Sequence, residues 1–245
     1  MVRRERLRTR TQINKKVKVF VMKSYTIHLI RHGLTEANLS GRYAGATDIP
    51  VCLEGEARLK NLKENYEYPN VAVCYSSPLS RCVQTCNIIY PEIKPVILEN
   101  LRECNFGDWE GKTTEELANE DGYAEWVGSG RSVEPPNGES GLDFCKRISV
   151  AFENIIKELV TNGTSSAAIF THGGVIMQIL SAYGLPKAGF YDWIVDNGCG
   201  YSIRVTPSLW MRDKVFEVYE KLPRGYNGEI KGEFKKLIEN AKSLK

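Results

Sequence analysis

Residues 25–38 read Tyr-Thr-Ile-His-Leu-Ile-Arg-His-Gly-Leu-Thr-Glu-Ala-Asn, and this stretch indicates the class of fold. Its first six residues are mostly β-branched or apolar, which predicts a buried strand over residues 25–30. Gly33 ends the strand, and a short helical turn is expected over residues 35–39. A strand that runs directly into a helix is typical of an α/β layered sheet.

The same alternation continues along the chain. Further strands are expected over residues 71–75, 96–98, 167–171, 195–205 and 215–219, and helices over residues 54–65, 77–89, 140–160 and 175–183. Ser77 is expected to cap the helix over residues 77–89, with Pro78 at its first position. Because strands separated by helices favour layered sheets, the sequence predicts a three-layer α/β/α fold with a mostly parallel central sheet.

The composition is that of an ordinary globular protein. The chain has 245 residues, of which 42% are hydrophobic and 26% are charged. Its longest apolar runs, such as residues 167–170, are too short to span a bilayer, so we expect no membrane partner. Seven cysteines, an odd number without any Cys-x-x-Cys pair, predict buried, reduced thiols in a cytoplasmic protein rather than disulfides or a metal site.

Charge is concentrated at the N-terminus. Residues 1–21 hold eight basic side chains and one acidic one, a net charge of +7 in a chain whose total is +3. Targeting and nucleic-acid binding are open alternatives, but we expect a solvated, disordered extension and no nucleic-acid partner, with Met22 as the natural start. The predicted domain then covers residues 22–223, and a charged helical tail covers residues 224–245.

Residues 112–139 are rich in glycine and proline, which predicts a loop-rich insertion over one edge of the sheet. The insertion carries Tyr123 and Trp126. One interpretation is a lid whose aromatic rings contact an organic leaving group. The other is that Trp126 packs the insertion onto the domain.

Two of the three histidines occupy the same local context. His32 and His172 each follow a predicted strand and precede glycine and a helix, whereas His28 lies inside a strand and is interpreted as structural. Ligands of α/β sheets bind at the carboxyl ends of the strands, and a helix N-terminus there favours phosphate. The sequence therefore predicts a phosphate site between these two histidines.

A phosphate-transferring site also needs cations and an acid. Arg31 adjoins His32, and Arg81 follows the strand at residues 71–75, so both start from the same sheet edge. Arginine suits this role because its planar donors match phosphate oxygens. Glu103, in the acid segment (residues 101–111), is the candidate proton donor to the leaving oxygen.

Together these segments resemble the histidine phosphatase superfamily, the phosphoglycerate-mutase-like group, over about residues 25–205. The resemblance is carried by residues 29–38, 76–85, 101–111, 136–140 and 171–174. It implies the roles that follow: His32 as the nucleophile; Arg31, Arg81 and His172 as phosphate ligands; Asn38 as a further donor; and Glu103 as the acid. It also implies catalysis without a metal or a cofactor.

Within this group the chain is most similar to phosphatases. Mutases carry a long insertion between the acid segment and the Gly-Glu-Ser segment, whereas Trp109 and Glu139 here are only 30 residues apart. Residues 106–111 resemble the alpha-ribazole-5′-phosphate phosphatases, so we expect hydrolysis of a small phosphorylated metabolite by a monomer or homodimer. Mutase-type phosphoryl transfer and a non-catalytic phospholigand-binding module are the alternatives, although all five candidate catalytic residues are present.

Overall fold

The computed structural model describes residues 23–128 and 133–228. The expectations for the basic extension over residues 1–21 and for the tail beyond residue 228 lie outside the described residues. Within the described ranges, no helix combines the length and the apolar character needed to cross a membrane.

Seven strands of the described chain form one sheet in the order β3-β2-β4-β1-β6-β7-β5. They are β1 (Tyr25–Arg31), β2 (Val73–Ser76), β3 (Val96–Ile97), β4 (Ser166–Thr171), β5 (Gly184–Leu185), β6 (Gly200–Val205) and β7 (Phe216–Leu222). β6 runs antiparallel to both of its neighbours, β1 and β7, and every other pairing is parallel. This confirms a mostly parallel sheet.

Helices cover both faces of the sheet. The α-helices of the described residues are α1 (Glu36–Leu39), α2 (Leu53–Asn65), α3 (Ser80–Ile89), α4 (Thr114–Leu117), α5 (Tyr123–Gly128), α6 (Gly141–Asn162), α7 (Gly173–Tyr183) and α8 (Pro207–Asp213). Alternate residues of β4 divide between two cores: Ile169 packs with α6 and α7, whereas Phe170 packs with α2 and α3. This period of two places the sheet between two helical layers, as predicted.

Among the boundaries that differ from prediction, two border the candidate site. α3 begins at Ser80, its N-cap is Leu79, and no side chain caps it. Ser77 instead remains at the end of β2, where its Oγ lies 2.9 Å from Nε2 of His172. The late strand begins at Gly200 rather than at residue 195, because residues 194–199 form a loop, called here the Asn197 loop.

The insertion over residues 112–139 contains two short helices, α4 and α5, as well as loops. Tyr123 and Trp126 are buried within it. At the other end of the domain, the backbones of Arg224 and Glu67 exchange two hydrogen bonds, and their side chains form an ion pair. Residue 224 is therefore packed on the domain rather than separated from it. All seven cysteines lie among the described residues, and none is in a disulfide.

Candidate active site

The two candidate histidines meet at the carboxyl edge of the sheet. β1 and β4 are parallel neighbours, with Arg31 opposite Thr171, so the residue after each strand falls at the same place. The ring centroids of His32 and His172 are 5.2 Å apart, and both side chains are buried. The structure therefore brings together the two histidines that the sequence placed at strand ends.

His32 is held as a neutral imidazole with a defined tautomer. Its Nδ1 lies 2.7 Å from the carbonyl oxygen of Gly33, and because a carbonyl only accepts, Nδ1 carries the proton. Burial lowers the pKa of His32 well below its ordinary value, and the nearby charges of Arg81 and Arg31 lower it further. Nε2 is therefore left with its lone pair available for attack.

His172 is fixed through both ring nitrogens. Nε of Arg81 donates to Nδ1 of His172 over 3.3 Å, so the proton of the ring lies on Nε2, which donates to Oγ of Ser77. Burial lowers the pKa of His172 well below its ordinary value, with Arg81 as the next cause. Sγ of Cys82 lies 3.5 Å from Nε2 of His172. This ring is neutral and cannot rotate without breaking these contacts.

Arg31 supplies a buried positive charge beside the nucleophile. Its Nη1 donates to the carbonyl of Val195 over 2.8 Å, and its side chain packs over Gly173 at the start of α7. Burial lowers the pKa of Arg31 to about 10, and Asp196 and Glu103 oppose that fall. Arg31 therefore remains a cation at neutral pH.

Arg81 is buried, and its guanidinium bonds to groups of the protein itself. Its guanidinium donates to the carbonyls of Thr47 and Gly45, each over 2.8 Å, in addition to His172. Arg81 and His172 are not among the residues that line the cavity described below, although His172 lies next to His32. In this structure, Arg81 braces the second imidazole and the loop around residue 45.

Asn38 lies on α1, where a capping box with Thr35 fixes it. Its Oδ1 accepts from the backbone N–H and hydroxyl of Thr35 and from Nδ2 of Asn197. Because the oxygen is occupied, the amide orientation is set, and the described residues give Nδ2 of Asn38 no hydrogen-bond partner. The amide NH₂ group of Asn38 is therefore available to a ligand, since Asn38 lines the cavity.

Glu103 occupies a loop between two short 3₁₀ turns, Glu99–Leu101 and Gly107–Trp109. Its Oε2 accepts from the backbone N–H of Gly174, over 2.8 Å, at the N-terminus of α7. Its Oε1 accepts from the N–H of Cys104. The carboxyl group is thus fixed at the helix that begins beside His172, and Glu103 lines the same cavity as His32.

The cavity has a volume of about 410 Å³. Arg31, His32, Asn38 and Glu103 line it together with other polar side chains: Arg42, Glu54, Arg58, Thr114, Asp196 and Asn197. Its apolar lining includes five aromatic side chains: Tyr43, Phe106, Trp126, Phe190 and Tyr191. Trp126 also packs edge-on against neighbouring rings, at centroid distances of 5.7 Å to Phe106 and 5.6 Å to Trp109. Trp126 therefore packs the insertion onto the domain and also lines the cavity, while its contact with a leaving group stays a prediction.

The Asn197 loop is a functional element that the sequence interpretation missed. Nδ2 of Asn197 donates to the carbonyl of His32 over 3.0 Å as well as to Asn38, and the N–H of Gly198 donates to the carbonyl of Arg31. The Asn197-Gly198 dipeptide is a turn signal that could have located the loop. Gly198 adopts φ = +78°, a conformation that glycine allows.

A neutral imidazole beside a buried guanidinium and a fixed carboxyl group, at the carboxyl edge of an α/β sheet, is an arrangement suited to phosphoryl transfer. The chain belongs to the histidine phosphatase superfamily, branch 1, whose family model matches residues 27–216. This membership confirms the family and the enzyme class expected from the sequence.

Two curated relatives and one solved structure illustrate the similarity. The adenosylcobalamin/alpha-ribazole phosphatase of Salmonella typhimurium is 29% identical over 183 residues, which is 72% of this chain and 89% of the relative. A 2,3-bisphosphoglycerate-dependent phosphoglycerate mutase of Gloeobacter violaceus is 29% identical over 163 residues, 62% of this chain and 72% of the relative. The alpha-ribazole phosphatase structure from Shigella flexneri matches with a TM-score of 0.69 at 23% identity, covering 84% of this chain and 100% of that one, and supports the fold.

Proposed function

We propose that the chain hydrolyses a small phosphate monoester through a phosphohistidine on His32. One observation carries the proposal: Nδ1 of His32 is held by the Gly33 carbonyl, so that Nε2 is an unprotonated nucleophile in the cavity that Glu103 also lines. A covalent intermediate divides one hydrolysis into two displacements.

In the first step, Nε2 of His32 attacks phosphorus and the bond from phosphorus to the ester oxygen breaks. Glu103 gives its proton to that oxygen, and the alcohol leaves. In the second step, a water attacks the phosphohistidine, Glu103 takes a proton from the water, and the phosphorus–nitrogen bond breaks to release inorganic phosphate. The charge of Arg31 and the amide of Asn38 stabilise the phosphoryl oxygens.

Arg81 and His172 complete the phosphate site in this proposal. The ring of His172 lies next to that of His32, and Arg81 donates a hydrogen bond to His172. A phosphoryl group on Nε2 of His32 brings negative charge next to them, and the buried guanidinium of Arg81 neutralises part of it. Arg81 and His172 therefore stabilise the phosphorylated enzyme and the transition states that lead to it.

The substrate we propose is alpha-ribazole 5′-phosphate. Relatives with that activity in their names match most of the chain. The cavity of about 410 Å³, with Tyr43, Phe106 and Trp126 among its walls, has room and aromatic surface for a ring-bearing leaving group. A short carboxylate-bearing phosphate would leave much of this apolar wall uncovered.

The test is a panel of phosphorylated metabolites offered to the purified full chain. Release of inorganic phosphate from alpha-ribazole 5′-phosphate should exceed that from sugar phosphates and phosphoserine. Interconversion of phosphoglycerates in the presence of 2,3-bisphosphoglycerate would instead support the mutase alternative, and no turnover of any ester, with p-nitrophenyl phosphate included, would support a binding module.

A trapping experiment tests the intermediate. Acid-labile, base-stable label should appear on the protein after rapid mixing with radioactive substrate, and it should be absent from His32→Ala. His28→Asn is the matched control, because His28 is buried on β1, the strand that precedes His32, but it bonds Ser202 and does not line the cavity. Label that persists in His32→Ala would overturn the assignment of the nucleophile.

A further inference from the structure

Arg147, on α6, contacts the backbone that carries Glu103. Its Nη1 donates to the carbonyls of Asn100 and Arg102, over 3.0 and 2.7 Å. Its Nη2 donates to the carbonyl of Glu103 itself, over 2.8 Å. One side chain therefore holds three carbonyls around the candidate acid.

The remaining donors of Arg147 are used by Glu139. Nε of Arg147 lies 2.5 Å from Oε1 of Glu139, and Nη2 lies 2.7 Å from Oε2. A guanidinium has five N–H groups, and these five hydrogen bonds match them. The paired arrangement is bidentate, and both side chains are largely shielded from solvent, with exposures of 20% and 17%.

Glu139 holds the backbone on the C-terminal side of Glu103. The backbone N–H of Glu139 donates to the carbonyl of Asn105 over 2.8 Å, and Oε2 of Glu139 lies 3.4 Å from the N–H of Asn105. The backbone is thus held before Glu103 by Arg147 and after it by Glu139. Neither side chain lines the cavity, so neither contacts a substrate there.

We propose that Arg147, fixed by Glu139, is a positioning residue that aims Glu103 at the leaving oxygen; this inference rests on the proposed function of Glu103 as the acid. A loop without regular secondary structure does not fix a side chain by itself, and a displacement of about 1 Å at a reacting group can cost about 100-fold in rate. Loss of Arg147 should therefore impair protonation of the leaving group more than binding of phosphate.

The experiment compares two substrates of similar size that differ in how much their leaving group needs a proton. Phenolate is a strong base, with a conjugate-acid pKa of about 10 as for tyrosine, whereas p-nitrophenolate is stable as an anion near neutral pH. The quantity measured is kcat/KM, because it covers the steps through the first phosphoryl transfer. Arg147→Met should lower kcat/KM for phenyl phosphate by about 10-fold or more, and for p-nitrophenyl phosphate by less than about 3-fold.

Two further variants keep the test valid if Arg147→Met folds poorly. Arg147→Lys should show the same selective loss at a smaller size, because an ammonium group can reach a carbonyl but cannot hold three of them together with Glu139. Arg147→Met combined with Glu139→Gln leaves no unpaired charge and should show the selective loss as well. Arg102→Met is the control: that side chain is exposed and pairs with Glu99, so both substrates should be unaffected.

Glu103→Gln tests the acid role of Glu103 separately from the positioning role of Arg147. It should lose phenyl phosphate hydrolysis far more than p-nitrophenyl phosphate hydrolysis. If Glu103→Gln lowers both equally, the acid role fails and the inference about Arg147 fails with it. If Glu103→Gln is selective but the Arg147 variants lower both substrates equally, or neither, only the positioning role is overturned.

Discussion

Lowering the pH should destabilise this protein through its three histidines, all of which are buried. His28, His32 and His172 are 1%, 5% and 0% exposed. Burial is the first cause of a lowered pKa in each, and for His28 it brings the pKa to about 4. The folded protein therefore resists binding protons that the unfolded chain accepts near pH 6.5.

The direction of the effect follows from that difference. Above about pH 7 all three imidazoles are neutral in both states and contribute nothing to the pH dependence. Below pH about 6.5 the unfolded chain gains protons that the folded state does not, so the free energy of unfolding falls by about 1.4 kcal/mol per pH unit for each imidazole. Because the unfolded imidazoles are only half protonated at pH about 6.5, three of them give a loss of about 3 kcal/mol between pH about 6.5 and about 5.5. The contribution of His28 stops growing near its folded-state pKa of about 4.

Urea denaturation at a series of pH values measures this loss. His28→Asn removes one imidazole and retains an amide that can bond Ser202, so its loss over the same interval should be about 2 kcal/mol rather than about 3. Carboxyl groups are common to both proteins, so their contribution cancels in the comparison. Equal losses in the two proteins, or a free energy of unfolding that does not change from pH about 7 to about 5.5, would refute the assignment of buried neutral imidazoles.

Replacing His32 by alanine should abolish phosphate release, whereas His28→Asn should retain the wild-type kcat in the same assay. Trp126→Ala should lower the free energy of unfolding by about 3–5 kcal/mol because the ring is buried among other rings. The same variant should raise KM for alpha-ribazole 5′-phosphate more than KM for ribose 5-phosphate. KM values that stay unchanged would leave Trp126 with a packing role alone. EDTA should not slow hydrolysis, since guanidinium and imidazole groups neutralise the phosphoryl charge in the proposed mechanism; a loss of rate that Mg²⁺ restores would contradict this.

Much of the site could be predicted because it is marked by short sequence patterns, each confined to a few neighbouring residues. β1 was expected over residues 25–30 and extends over Tyr25–Arg31, and each of the two histidines directly follows a strand and directly precedes a glycine. A parallel sheet brings the ends of neighbouring strands together, so two separate local patterns were enough to place His32 beside His172. The expectation of Arg81 at the same edge held for the same reason.

Other features of the site depend on hydrogen-bond partners that lie far away in the sequence and that no local pattern predicts. Arg147 appeared as one charged residue of an amphipathic helix, and its role depends on backbone carbonyls more than 40 positions earlier, such as that of Glu103. Arg81 reached the expected edge, but its donors are taken by carbonyls of the loop near Gly45, which gave no sequence signal. Every residue has a backbone carbonyl, so a side chain that bonds to backbone has no partner that can be recognised in the sequence by its residue type.

The Asn197 loop reaches the nucleophile because β6 reverses the direction of the sheet. A loop that precedes a parallel strand lies at the amino edge, away from the ligand. β6 runs against β1, so the residues immediately before it lie at the carboxyl end of β1, beside His32. Close pairing there depends on Gly200, where any side chain would collide with the carbonyl oxygen of Leu29. One reversed strand therefore lets Asn197 hold both the backbone of His32 and the amide of Asn38.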